Sequence, residues 1–151
     1  MCRYAQYSYK KHYACFRCRK VFRRPSPWDA AGDDTERTER CPECRAPMAD
    51  MGMDLKAPKK SAVKEWAILE SLFRMGRRFQ TCGCDGPGYI PTKPSDHRRY
   101  LEAVAESYRK HLAEAQAITT GSRRKKGERV DYWADRLALV EAEMLRVGAR
   151  S

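Results

Sequence analysis

No stretch of this sequence approaches the roughly 18 to 20 consecutive apolar residues that a membrane-spanning helix needs, and charge interrupts even its most apolar stretches. The expectation is a chain without membrane contact. Histidine is scarce as well. His12, His97 and His111 stand alone, outside any Cys/His or Ser/His/Asp arrangement, which leaves no obvious general base and makes an enzyme the least supported class. Apolar material is thin: 34% of the 151 residues are charged and the mean hydropathy is −0.80, so one large core is not expected. Short segments with so little to bury need a staple, whether disulfide, metal or partner.

Disulfides fit poorly. The seven cysteines are an odd number, and Met1-Cys2-Arg3-Tyr4 leads into a polar, basic, aromatic stretch rather than an apolar leader. The expected compartment is therefore the reducing cytoplasm. Acidic residues are missing from 1–24, which carry Arg3, Lys10, Lys11, Arg17, Arg19, Lys20, Arg23 and Arg24. Arg123, Arg124, Lys125, Lys126 and Arg129 form a second basic stretch with Glu128 as its one acid, whereas Asp33, Asp34, Glu36, Glu39 and Glu43 make the segment between the two Cys-x-x-Cys pairs acidic. With a net charge of +11, polyanions are expected to be drawn to these two basic stretches.

What the chain does have is Cys15-x2-Cys18-x22-Cys41-x2-Cys44. A Cys-x-x-Cys turn lets two thiolates reach one ion while backbone amides point at the sulfurs, and two such turns close a tetrahedral shell around one Zn2+. A closed shell has no position for an activated water, so the expected zinc is structural. Arg17, Arg19, Lys20 and Arg45 lie in or beside the two turns and offset the charge of about −2 that a zinc tetrathiolate carries. The competing reading is two redox or unrelated cysteine pairs. Over residues 13–48 the chain resembles the zinc-ribbon family, with Arg19 and Arg45 where that family often has glycine after the second cysteine of each turn. Residues 1–91, with Lys56-Ala57-Pro58-Lys59-Lys60, Trp66 and Cys82-Gly83-Cys84-Asp85-Gly86-Pro87-Gly88-Tyr89, are similar to small uncharacterised bacterial zinc-ribbon proteins. The resemblance implies zinc and no assigned reaction. As a class, such ribbons serve transcription, translation and protein contacts.

The expected fold is small and α+β: a zinc ribbon of short antiparallel strands with a packed helix, followed by a C-terminal helical hairpin. Three zones are expected, the ribbon over 1–54, a helix-strand-turn segment packed on it over 55–94, and the hairpin over 95–151. Lys20-Val21-Phe22-Arg23 reads as a strand. Ala62, Trp66, Leu69 and Phe73 put one apolar stripe on a helix over 62–75 that Ser61 can cap and Gly76 can end. A short strand is expected over 77–82. Leu101, Val104, Tyr108, Leu112 and Ala115 mark a helix capped by Ser95 or Asp96. Trp133, Leu137, Val140, Met144 and Val147 mark another, with a basic loop over 121–129 between them.

Cys82 and Cys84 share a face if the strand runs through them, and with Cys2, His12 or His97 they can form a second thiol or metal site; the alternative is two buried thiols. Asp85-Gly86-Pro87-Gly88 lacks the context of a phosphate loop and reads as a tight turn exposing Tyr89. Tyr4, Tyr7, Tyr9 and Tyr13 alternate with cations, the combination that stacks unpaired bases and contacts phosphates; the alternative is a strand face covering the ribbon. The candidate nucleic-acid contacts are Tyr4, Tyr7, Lys10, Lys11, Arg17, Arg19, Lys20, Arg123, Arg124, Lys125 and Lys126. The expected function is a non-catalytic binder of nucleic acid, RNA in preference to DNA and linked to the ribosome. The alternative is a protein-interaction adaptor that uses Trp133, Leu137, Val140 and Met144.

Overall fold

The computed structural model describes residues 10–25, 38–80, 89–120 and 122–149. Its secondary structure is mixed, a three-stranded antiparallel sheet and three helices, as the α+β reading expects. The chain divides into two units, one formed by Met1–Phe73 with Arg77–Ile90 and the other by Arg74–Gly76 with Pro91–Ser151.

In the first unit, β1 (Lys11–Cys15) and β2 (Lys20–Arg24) form a hairpin in which Cys15 faces Lys20 and Lys11 faces Arg24. Lys-Val-Phe supplies the β-branched and aromatic content that suits β2. The short β3 (Ala49–Asp50) lies on the other side of β1, giving the order β2-β1-β3. Pairing continues past β3: the Met51 N–H donates to the His12 carbonyl, and the His12 N–H to that of Gly52.

The strand expected over 77–82 is reduced, among its described residues, to one parallel bridge between Phe79 and Gly52. The Phe79 N–H donates to the Met51 carbonyl, and the Phe79 carbonyl accepts from Met53 and Asp54. Gly52 is required at this crossing. Its φ is +86°, and a Cβ there would stand 2.6 Å from the Phe79 carbonyl oxygen. Phe79 and Met51 are both fully buried, each side chain contributing roughly 1.5 to 3 kcal/mol.

Helix α1 (Val63–Arg74) matches the expected span within one residue at each end. Its buried face is wider than the expected stripe, since Ile68 and Leu72 join Trp66 and Leu69. Ala62 rather than Ser61 occupies the capping position, its carbonyl accepting from the Trp66 N–H. Gly76 adopts φ +84°, and the Arg77 N–H returns to the Leu72 carbonyl at 2.9 Å, the left-handed ending that the glycine predicts.

The second unit contains α2 (Pro94–Ala117) and α3 (Arg123–Gly148), an antiparallel pair. Helix α2 begins at Pro94, one residue before the earlier of the two expected caps, with Lys93 in the capping position, because proline's fixed φ suits the first helical residue. Helix α3 begins at Arg123, so most of the basic stretch expected as a loop is helical instead. Ser122 makes no side-chain cap, and no acid stands in the first turn. Four cations there oppose the helix dipole, while the Arg124–Glu128 pair at 2.9 Å offsets part of that cost.

Leu101, Ala105, Ala115 and Val140 are buried. Trp133 sits 5.4 Å from Tyr108 and stacks on His111 at 4.5 Å. Glu143 is 1% exposed and accepts a two-pronged ion pair from Arg74 at 2.8 and 3.2 Å, with Arg146 as a further partner.

Candidate metal centre and basic surfaces

Each cysteine pair is set by a local turn. The β1–β2 hairpin places Cys15 at the end of β1 and Cys18 in the four-residue connection Phe16–Arg19, where the Cys18 N–H points at the Cys15 sulfur at 3.4 Å. The second pair lies between the bridge partners Arg40 and Pro47. There the Cys41 N–H donates to the Ala46 carbonyl and the Arg45 N–H to that of Cys41. Both turns need a left-handed residue after their second cysteine. Arg19 (φ 52°) and Arg45 (φ 60°) supply it, the only described residues other than glycine with positive φ.

The two turns bring all four sulfurs within 4.8 Å of one another, with Cys15 and Cys44 at 3.5 Å and Cys41 and Cys18 at 3.9 Å. Cys15 and Cys41 are buried, and Cys18 and Cys44 are half-buried. This arrangement can hold one metal ion. Four thiols so close cannot all ionise unaided. Burial and then the Cys44 and Cys41 thiols push Cys15 up. Cys18 is pushed up to about 12, first by the Cys44 thiol and then by desolvation. For Cys41, burial favours the neutral form, but the backbone N–H groups of Cys44 and Glu43 and the neighbouring thiols bring it down to about 7. A cation at the centre would remove the conflict.

The surroundings brace the cluster. Tyr13 and Met48 pack with Cys15 and Cys41, and Phe22 lies against them. Lys20 pairs with Glu43, tying one turn to the other. That pairing, against the opposing effect of desolvation, holds Glu43 below the usual carboxylate range and raises Lys20, which the Cys18 and Cys41 sulfurs raise further. Phe16, in the first turn, meets Trp66 edge-on at 6.4 Å and Phe73 at 5.8 Å. The Arg19 Nε–H donates to the Lys60 carbonyl at 2.9 Å, and the Trp66 Nε1–H to that of Lys59 at 3.0 Å. The first turn is thereby fastened to α1 and its lead-in.

The residues named as nucleic-acid contacts are divided between the two units, those up to Lys20 in the first and Arg123, Arg124, Lys125 and Lys126 in the second. Tyr4 and Tyr7, with Tyr9, Cys2, Cys82, Cys84 and Asp85-Gly86-Pro87-Gly88, lie outside the described residues. Tyr13 is buried at 5% exposure and serves the cluster rather than a ligand, because its place in β1 turns it inward with Cys15. Lys11 pairs with Asp50 at 3.0 Å, and Lys20 and Arg124 are likewise held by acids. Lys10, Arg17, Arg123 and Lys125 are exposed, and Lys126 is half-buried at the start of α3. Tyr89 is exposed, as expected.

His12 belongs to the first unit and His97 to the second; burial lowers both pKa values and favours the neutral ring. Sequence reasoning passed over Phe16 and Glu43. The signal for Phe16 was a large aromatic inside a Cys-x-x-Cys turn. For Glu43 it was an acid inside the second cysteine pair of a chain whose first pair is flanked by cations. Comparison with protein-family models, curated proteins and solved structures finds no match to this chain.

Proposed function

We propose that this chain is a zinc-stapled binding protein, not an enzyme, whose ligand is nucleic acid. The observation that carries the zinc reading is the mutual spacing of the four sulfurs. A Zn–S bond of about 2.3 Å places neighbouring sulfurs of a regular tetrahedron about 3.8 Å apart. Two cross-turn pairs, Cys15–Cys44 at 3.5 Å and Cys18–Cys41 at 3.9 Å, bracket that edge. Cys15, Cys18, Cys41 and Cys44 would hold the ion as thiolates, and the ion would supply folding free energy to the turns. Four protein ligands close the shell, which argues for scaffold over catalysis. Free thiolates suit a reducing compartment, the cytoplasm.

Support for the ligand is electrostatic. A net charge of +11, with exposed cations at Lys10, Arg17 and along the first turns of α3, favours a polyanion. Single-stranded RNA, free or on the ribosome, is the proposed partner in preference to DNA. Filter retention of labelled RNA at low salt tests this. Binding that falls steeply as salt rises is expected; no retention of RNA or DNA at low salt refutes the reading. The adaptor reading has less support, since Val140 is fully buried and Trp133 is stacked on His111, leaving Tyr132, Leu139 and Leu145 as the exposed large hydrophobic residues of α3 among those described.

A further inference from the structure

The second unit carries an open groove of about 560 Å3 lined by Lys125, Glu128, Arg129, Tyr132 and Trp133 of α3. Lys125 and Arg129 belong to the second basic stretch, whereas neither Tyr132 nor Trp133 was among the residues that the charge pattern pointed to. We infer that this groove is a stacking site for single-stranded nucleic acid. Unpaired bases lie on the Tyr132–Trp133 aromatics, and Lys125 and Arg129 meet the phosphates. The inference rests on the nucleic-acid reading above and assigns it to particular side chains.

Three observations support the assignment. The aromatics are braced. Trp133 is held by His111, stacked at 4.5 Å with 25° between the rings, and by Tyr108 at 5.4 Å, while Tyr132 stands edge-on to it at 5.0 Å. Rings fixed in this way lose little rotamer entropy when a base lands on them. Tyr132 also remains 49% exposed although the Arg136 guanidinium covers its ring at 4.8 Å, so an electron-poor cation already polarises a ring that still borders the groove.

Among the residues that line the groove, the charge is of one effective sign. Glu128 is neutralised by Arg124 at 2.9 Å, and among the described residues neither Lys125 nor Arg129 has an acidic partner. The cations of the first α3 turns, unfavourable for the helix alone, gain a function if phosphates settle there. The groove's volume falls within the range of small-ligand sites, roughly 300 to 1,000 Å3, which suits one or two nucleotides. A duplex keeps its bases stacked inside and cannot use such a platform, so the site selects unpaired strands.

The test is fluorescence anisotropy of a labelled oligouridine with the full chain at low salt. Tyr132→Ala should weaken binding on the order of tenfold, the loss of one stacked base. Tyr132→Phe should bind like the unmodified chain, and Lys125→Ala and Arg129→Ala should each lower the salt dependence of binding. All four are surface changes, and unchanged helical circular dichroism confirms that the hairpin is intact. If the unmodified chain binds and all the variants bind equally well, the groove assignment is wrong while the nucleic-acid reading stands. If the charge variants weaken binding but Tyr132→Ala does not, or if a duplex binds as tightly, stacking is refuted. If the unmodified chain does not bind at all, the parent reading fails and the groove assignment falls with it.

Discussion

Replacing Arg45 by glycine should make this protein more stable, although it removes a cation beside the four-cysteine cluster. Arg45 holds φ 60°, a conformation that costs an L-residue roughly 1 to 2 kcal/mol through the approach of Cβ to its own backbone. Glycine escapes that cost but gives up about 0.5 to 1 kcal/mol to the greater freedom of its unfolded chain. The net expectation for Arg45→Gly is a gain of about 0.5 to 1 kcal/mol, or a few degrees in thermal midpoint for a chain of this size.

Arg19, at φ 52°, offers the same backbone relief, yet its side chain donates to the Lys60 carbonyl at 2.9 Å, a bond worth about 1 kcal/mol that Arg19→Gly would lose. Arg19→Gly should therefore be neutral or slightly destabilising. Arg45→Ala removes the charge but keeps the Cβ, so it isolates the backbone contribution. Thermal unfolding of the metal-loaded protein, with the three variants compared, decides the matter. A loss of stability in Arg45→Gly alongside an unchanged Arg45→Ala would refute the reasoning.

Three further outcomes are expected. Phe16→Ala removes the ring lying between Trp66 and Phe73 and should cost about 2 kcal/mol, less than a fully buried phenylalanine because Phe16 is half-exposed; denaturant titration measures it. Glu143→Ala leaves Arg74 without its buried two-pronged partner and should cost about 3 kcal/mol, whereas a loss below about 0.5 kcal/mol would mean that the ion pair contributes nothing. In the reduced, metal-free chain the folded-state Cys15 and Cys18 thiols lie above the ordinary 9.0, Cys18 at about 12. A raised acid pKa lends stability that is complete below the unfolded value and lost as pH rises through the folded one. The metal-free thermal midpoint should thus fall between about pH 9 and pH 12, less steeply in Cys18→Ser, while an equal slope in both proteins would contradict this.

The parts of the molecule that could be read in advance were those whose signal is local. Trp66 and Leu69 recur at helical spacing, and the structure buries both on α1; the positive φ of Gly76 is a property of that residue type. The two cysteine pairs were legible because a metal turn needs two residues between its ligands, while the long segment between the pairs can vary. What stayed hidden depends on distant partners. Nothing near Tyr13 indicates that it packs on Cys41 and Met48, so its ring looked available for a ligand. Phe79 meets Gly52 across a long sequence interval, which alternation along one segment cannot reveal. The start of α3 misled for another reason. A run of cations at a helix N-terminus contradicts the local electrostatic preference, so propensity favoured a loop where the packing of α2 against α3 sustains a helix.

The central claim is that four cysteines hold one zinc ion as a scaffold. It is tested most directly by counting zinc per chain in reduced, purified protein and repeating the count with Cys15→Ser and Cys41→Ser. The account predicts one zinc per chain in the unmodified protein, loss of that zinc in both variants, and unfolding of residues 13–48 before the helical hairpin when the metal is chelated. Zinc-free protein with an unchanged structure, or zinc retained when both ligands have been replaced, would contradict it.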